Sequence, residues 1–326
     1  MKAIVIGTPG GPEALEVKDV PAPEAGPGEV LIDVIAAGIN RADVMQRQGH
    51  YPVPAGAPEY PGLEVSGRIA ALGDGVEGLA VGTEVVALLS GGGYAEQVAV
   101  PAGQVLPLPD GFDVVTSASL PETAATVFSN LFMAAAVQEG DYVLIHGATG
   151  GIGTMAIQMV AAFGAVPMVT AGSAEKLELA KSLGAKVLIN YKEQDFVEAV
   201  QEATDGHGAD AILDVVGAKY LQKNLDALAV AGRLVIIGLQ GGVKAELNLN
   251  QLMTKRAAVI GTTLRGRPVE EKSAIMQAVG QYIWPLLASG QIRPLVDRTF
   301  PLAEAAAAHE YFDSGQHAGK ILLTMN

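Results

Sequence analysis

Between Asp141 and Gly153 the chain reads DYVLIHGATGGIG, and this stretch restricts the possible fold more than any other. Val143, Leu144 and Ile145 form a short apolar run. Gly147, Gly150, Gly151 and Gly153 follow it closely, and Ile152, Ala156, Val160 and Phe163 open a helical period. The pattern predicts a strand, a glycine turn and a helix. Such a turn leaves the first N–H groups of the helix without partners and brings the backbone close to a ligand. A phosphate there gains hydrogen bonds and the positive end of the helix dipole. The spacing G-x-x-G-x-x-G is one residue from the G-x-G-x-x-G of dinucleotide-binding folds and is weak alone. After a buried strand and ahead of an apolar helix, it is read as a nucleotide site built from Gly147, Gly150, Gly151, Ile152 and Gly153.

The alternation of strand and helix continues. Strands are expected over 165–170, 186–190, 209–216, 233–239 and 257–263, with helices over 173–183, 195–203 and 221–229. Six strands joined by helical crossovers make a complete doubly wound (Rossmann) domain, assigned to residues 123–265, in the order 3-2-1-4-5-6. In that order the last strand lies at an edge, and its AAVIGTT has neither charge nor proline to block pairing with another chain. A two-fold homodimer through this edge strand is expected.

With 326 residues, about two domains are expected. A formal charge of −14 argues against nucleic acid or an anionic membrane as partner. The chain has no cysteine, so disulfides, thiolate nucleophiles and cysteine-ligated zinc are excluded. Residues 147–174 carry no charge, but the glycines at their start, Gly164, Pro167 and Gly172 favour a buried helix and strand over a membrane span. The apolar run after Met1 is too short for a signal segment and reads as a first strand, so a soluble, cytoplasmic protein is expected.

Residues 1–122 carry mainly strand signals, at 30–36, 63–72, 84–89, 94–100 and 104–107. A Pro- and Gly-rich loop over 49–62 holds Tyr51, Glu59 and Tyr60, and loops of this length are often functional. A helix over 119–136 leads into the nucleotide domain. After residue 263 come a helix over 269–288, a strand, a helix over 302–312 and a last strand over 320–325. With six nucleotide strands already counted, this tail is assigned to the first domain, residues 1–122 and 266–326.

NAD-specific folds of this type usually place an Asp or Glu about 20 residues past the glycine turn, to bind the ribose hydroxyls. Here that position falls at Ala171 or Gly172, and no acid occurs between Asp141 and Glu175. Gly172 and Ser173 open the next helix and Lys176 lies one turn on, so a 2′-phosphate meets donors and no repulsion. NADPH is expected over NADH.

Several long motifs carry a resemblance that spans the chain: GINRADVMQRQGHYPVP (Gly38 to Pro54), PGLEVSGRI (Pro61 to Ile69), IHGATGGIGTMAIQ (Ile145 to Gln158) and the closing HAGKILL. They resemble the zinc-independent NADPH:quinone oxidoreductases of the medium-chain dehydrogenase/reductase superfamily. The resemblance implies a GroES-like β-rich catalytic domain, an active cleft between the domains, and a dimer or tetramer. It also implies that Thr126, in ETAATV, lies by the nicotinamide and that Tyr191 closes the far side of the 2′-phosphate. Where zinc-dependent members carry a cysteine ligand this chain has Asn40, and where they have G-H-E it has Gly62, Leu63 and Glu64, so zinc catalysis is not expected.

The histidines His50, His146, His207, His309 and His317 are read as surface or hydrogen-bonded structural residues, and Glu64 and Asp43 as structural acids with acid–base work as the alternative. No G-x-S-x-G elbow is present. The expected activity is reduction of a quinone or related conjugated carbonyl by direct hydride transfer from NADPH, without metal. Asn40 and Tyr51 would position and stabilise the developing oxyanion, and Asn40 would also touch the cofactor. The alternatives are an enoyl-thioester reductase of the same superfamily and a non-catalytic NADPH-binding protein.

Overall fold

A computed structural model describes residues 1–325 and divides the chain into two compact units. One comprises Met1–Ala125, Leu264–Gly290 and the chain from Pro294 onward; the other comprises Thr126–Thr263 and Gln291–Arg293.

The second unit is built on a six-stranded parallel sheet, in the order Val187–Asn190, Val166–Ala171, Tyr142–His146, Ala209–Asp214, Leu228–Ile236 and Ala258–Gly261. Numbered by sequence this is the expected 3-2-1-4-5-6. Val143, Leu144 and Ile145 are all fully buried, which is why the strand reads as a continuous apolar run instead of an alternating one. The crossover helices Ala174–Ser182 and Phe196–Ala203 start at Ser173 and Asp195, whose side chains accept from the first turn. A helix over Leu249–Lys255 was not expected; its signal was Asn248 followed by Gln251, whose N–H the Asn248 side chain accepts at 3.1 Å.

The helix expected over 119–136 is two pieces, an α-helix over Pro121–Val127 and a π-helix over Phe128–Ala134. The Asn130 side chain explains the change. Its Nδ2 donates to Thr126 O at 2.7 Å, taking the carbonyl that an α-helical Asn130 N–H would use.

The first unit holds a sheet in which Val296–Pro301, Lys320–Thr324, Glu29–Gly38, Glu64–Leu72, Glu84–Leu88 and Val105–Pro107 lie side by side. The long strand Glu29–Gly38 is shared: its first half pairs with Gln97–Pro101, and its end pairs with the C-terminal strand, with Gly38 opposite Leu322. A separate hairpin joins Lys2–Ile6 to Leu15–Asp19, a strand the sequence reading missed. Alternating residues such as Val30, Ile32 and Val34 point into the core with Val65, Ile69 and Val98. The helix expected over 269–288 breaks after Tyr282, and a new one starts at Trp284 with Pro285 in its first turn, where a missing N–H costs nothing. Among the described residues, no helix is long and apolar enough to cross a membrane.

Candidate active site

In the second unit, the strand Tyr142–His146 runs into Gly147, whose φ of +79° suits glycine. A Cβ on Gly153 would lie 2.2 Å from Gly147 O, so the helix Gly151–Ala162 packs against the turn only because that residue has no side chain. No side chain caps this helix at Gly150, and a Cβ there would meet nothing closer than 3.9 Å. No side chain therefore takes the first N–H groups, from Gly151, Ile152 and Gly153.

Sheet register brings the other expected nucleotide residues to the same end. His146 pairs with Thr170, and Ala171 pairs with Asn190, so Gly147, Gly172 and Tyr191 follow three neighbouring strand ends. A Cβ on Gly172 would lie 2.6 Å from Tyr191 Oη and 3.3 Å from Lys192 Cε. The tyrosine hydroxyl thus covers the backbone where Ser173 begins the next helix, and Ser173 Oγ accepts from Lys176 N at 3.4 Å. Lys192 is a cation at this corner that the sequence reading passed over. Thr126 is buried in the last turn of the helix Pro121–Val127, its carbonyl bound by Asn130.

A buried polar chain supports these strand ends. Thr170 Oγ1 is 2.9 Å from His146 Nδ1, His146 Nε2 is 2.8 Å from Asn224 Oδ1, and Asn224 Nδ2 donates to Asp214 at 3.1 Å. Burial pushes His146 down to about 4, so it is neutral, and pushes Asp214 up to about 6. Asp214 also accepts from the N–H groups of Val216 and Gly217, which fixes the loop after its strand.

The first unit concentrates buried charge. Asn40 starts the helix Arg41–Arg47, which the sequence reading missed although Asn40 and Asp43 have the spacing of a helix cap. Asp43 has no exposed surface; it accepts from Asn40 N at 2.8 Å, Gly62 N at 2.9 Å and Tyr94 Oη at 3.3 Å. Behind it, Tyr94 Oη is 3.1 Å from His309 Nε2, and His309 Nδ1 is 3.3 Å from Arg47 Nη1. A guanidinium only donates, so Nδ1 accepts, Nε2–H donates to Tyr94, and the tyrosine hydroxyl donates to Asp43. Burial pushes Asp43 up to about 6. Its bonds tie the helix start to the end of the 49–62 loop, a structural role.

Glu64, also without exposed surface, accepts from Lys320 Nζ at 2.6 Å, Asn40 Nδ2 at 3.0 Å and Glu122 N at 2.9 Å. Lys320 Nζ donates further to Ile39 O and Asn40 Oδ1, each at 2.7 Å. The sequence reading gave Asn40 an amide aimed at an oxyanion. The structure turns that amide inward, with Nδ2 donating to Glu64 and, at 3.4 Å, to Gly38 O.

Tyr51 is half-buried, with the Arg265 guanidinium 5.4 Å from its ring centroid, and burial raises the pKa of its hydroxyl. Arg265 is 3% exposed; its Nε donates to Ser90 O at 2.7 Å, but Nη1 and Nη2 have no partner. Glu122 Oε2 is likewise buried and unpaired. Burial, and then the charge of Glu64, push Glu122 up to about 8, so it holds a proton at neutral pH. Sequence reasoning missed Arg265 and Glu122; the signal was a lone acid in the apolar stretch LPETAATV and the basic pair Arg265 and Arg267 in TTLRGRP.

Two family models match the chain: the alcohol dehydrogenase GroES-like domain over residues 26–110 and the zinc-binding dehydrogenase over residues 151–279. The chain is 32% identical to a quinone oxidoreductase from Rattus norvegicus, over 100% of this chain and 98% of that protein. It superposes with a TM-score of 0.89 on Escherichia coli quinone oxidoreductase complexed with NADPH, 30% identical, covering 99% of this chain and 100% of the other. It superposes with a TM-score of 0.87 on the CurK enoyl reductase, 27% identical, covering 100% and 99%. The donor set does not fit zinc. Leu63 offers no ligand atom, and the oxygens of Asn40 and Glu64 already hold the Lys320 ammonium. Among the described residues, no three His, Cys, Asp or Glu are grouped to hold a metal.

Proposed function

The chain belongs to the quinone oxidoreductase family of the medium-chain dehydrogenase/reductase superfamily, and from this we infer that it is a cytoplasmic reductase of quinones or related conjugated carbonyls, dependent on NADPH and independent of metal. The observation that carries the cofactor reading is the corner formed by Gly172, Ser173, Lys176, Tyr191 and Lys192, which offers donors and cations, and the strand leading into it, with the rest of the segment 142–174, carries no carboxylate. There the 2′-phosphate would take the Ser173 N-cap and the nearby cations, while the N–H groups of Gly151, Ile152 and Gly153 hold the pyrophosphate. Thr126 would face the nicotinamide. When bound, NADPH supplies the hydride. Tyr51 would donate to the acceptor's oxygen, with Asn40 acting indirectly through Lys320 and Glu64.

Purified protein with NADPH and a panel of small quinones and enones is expected to consume the cofactor well above background. Binding of NADPH without oxidation on any acceptor would leave the non-catalytic reading. Similarity to the CurK enoyl reductase favours a second reading, and faster turnover of a 2-enoyl thioester than of any quinone would select it.

We also propose a homodimer through the edge strand Ala258–Gly261, which pairs on one side only, with Leu228–Ile236. In the same unit Val243, Leu249 and Met253 are 72%, 63% and 76% exposed. Light scattering at micromolar concentration is expected to give twice the chain mass of 33.5 kDa; a monomer mass sinks the proposal.

A further inference from the structure

We propose that Arg265, Glu122 and Tyr51 form the pocket for the acceptor's oxygen, in which the Arg265 fork holds that oxygen as it becomes anionic and Glu122 then protonates it. This deepens the reading above and rests on it for the identity of the acceptor.

Geometry carries the assignment. A buried donor without a partner is rare, and Arg265 has two such nitrogens on one planar group. Its orientation is set from behind, because Nε is bonded to Ser90 O while Lys272 Nζ holds Ser90 Oγ. The Tyr51 ring lies beneath the guanidinium. Beside Nη2, a Cβ on Gly91 would come within 2.8 Å of Pro58 O and 3.4 Å of Nη2, so the space there stays free only with glycine, whose φ is +154°. A fork fixed in this way and left unfilled matches a ligand oxygen that carries or gains negative charge.

Glu122 supplies what the fork lacks. The charged groups around it are Glu64 and Asp43, which repel its carboxylate, and Lys320 and Lys272, which attract it. Arg265 and Tyr51 also feel its charge. Burial and Glu64 prevail, so the carboxyl keeps its proton, and its unpaired Oε2 has no protein acceptor to satisfy. The balance closes. The hydride from NADPH brings two electrons and one hydrogen nucleus to the acceptor, leaving NADP+ and an acceptor oxyanion. The O–H bond of Glu122 breaks as a new O–H forms on that oxygen, and the carboxylate recovers a proton from water. The substrate class is therefore an acceptor whose reduced form passes through an anionic oxygen, such as a hydroquinone monoanion or an enolate.

The test uses 4-nitrophenol, a redox-inert mimic of the hydroquinone anion whose phenolate absorbs differently from the neutral phenol. Wild-type protein saturated with NADP+ is expected to bind it as the phenolate at a pH where free nitrophenol is neutral. Arg265→Gln should bind it at least about tenfold more weakly or as neutral phenol. The same variant should lose about 100-fold in kcat/KM for quinones, the range for one removed oxyanion donor, with NADPH affinity within about twofold as the check on folding. Glu122→Gln keeps a donor and should retain phenolate binding. Its kcat should fall at neutral pH and lose the decline that wild type shows as pH rises through about 8, where Glu122 ionises. Unchanged nitrophenol binding and spectrum in Arg265→Gln, or a wild-type pH decline that survives in Glu122→Gln, overturns the proposal. If no quinone is reduced by wild type, the functional reading fails, while the nitrophenol experiment still judges the pocket.

Discussion

Replacing Lys320 by Met is expected to cost the first unit about 3–5 kcal/mol, because it removes the cation from a buried carboxylate. Glu64 has no exposed surface and Lys320 is 5% exposed, so the pair is not screened by water as a surface bridge would be. Without the ammonium, Glu64 keeps only the Asn40 amide and the Glu122 N–H, and it faces the Glu122 carboxyl. Ile39 O and Asn40 Oδ1 lose their donor as well. The double variant Lys320→Met, Glu64→Gln should recover much of the loss, since the uncompensated charge and not the missing bond dominates the cost. Urea unfolding at neutral pH, fitted for midpoint and slope, measures both. A single-variant loss under about 1 kcal/mol, the scale of an exposed pair, would show that water reaches Glu64.

The Lys176→Glu variant is expected to lower kcat/KM for NADPH about ten- to a hundredfold and to leave NADH within about twofold. Lys176 lies one turn into the helix that begins at Ser173, the residue after the Gly172 backbone that Tyr191 Oη covers, and its N–H donates to Ser173 Oγ. A carboxylate there repels a 2′-phosphate and has no comparable effect on a ribose hydroxyl. Lys192, whose side chain reaches the same glycine, still supplies positive charge and limits the loss. Equal losses with both cofactors would mean that Lys176 does not read the phosphate.

The two halves of the candidate site differ in how far the sequence exposed them. Gly147, Gly150, Gly151 and Gly153 are a local signal, because a strand, a tight turn and a helix within one stretch are set by neighbouring residues. Gly172, Ser173 and Lys176 follow from counting along the next strand. Tyr191 needed the family resemblance, and Lys192 was passed over, since which side chain covers Gly172 depends on pairing between strands. In the first unit, contacts of long sequence separation prevail: Lys320 meets Asn40 across 280 residues, and Arg265 meets Ser90 across 175. No periodicity reports such pairs. Asn40 was therefore given an outward amide, which the tertiary structure turns inward.

Taken alone, the amino-acid order determines the βα alternation, the glycine turn after the first strand and the absence of an acid after the second, because burial, helix start and turn geometry are properties of adjacent residues; the strand order 3-2-1-4-5-6 followed from the fold class that such alternation implies. Protonation and satisfaction of the buried groups were decided only when the chain closed on itself. Glu122 reads as an ordinary charged residue until burial and Glu64 raise its pKa, and Arg265 reads as a surface cation until its two terminal nitrogens are enclosed without partners. Desolvation depends on everything packed around a group, and that neighbourhood exists only in three dimensions.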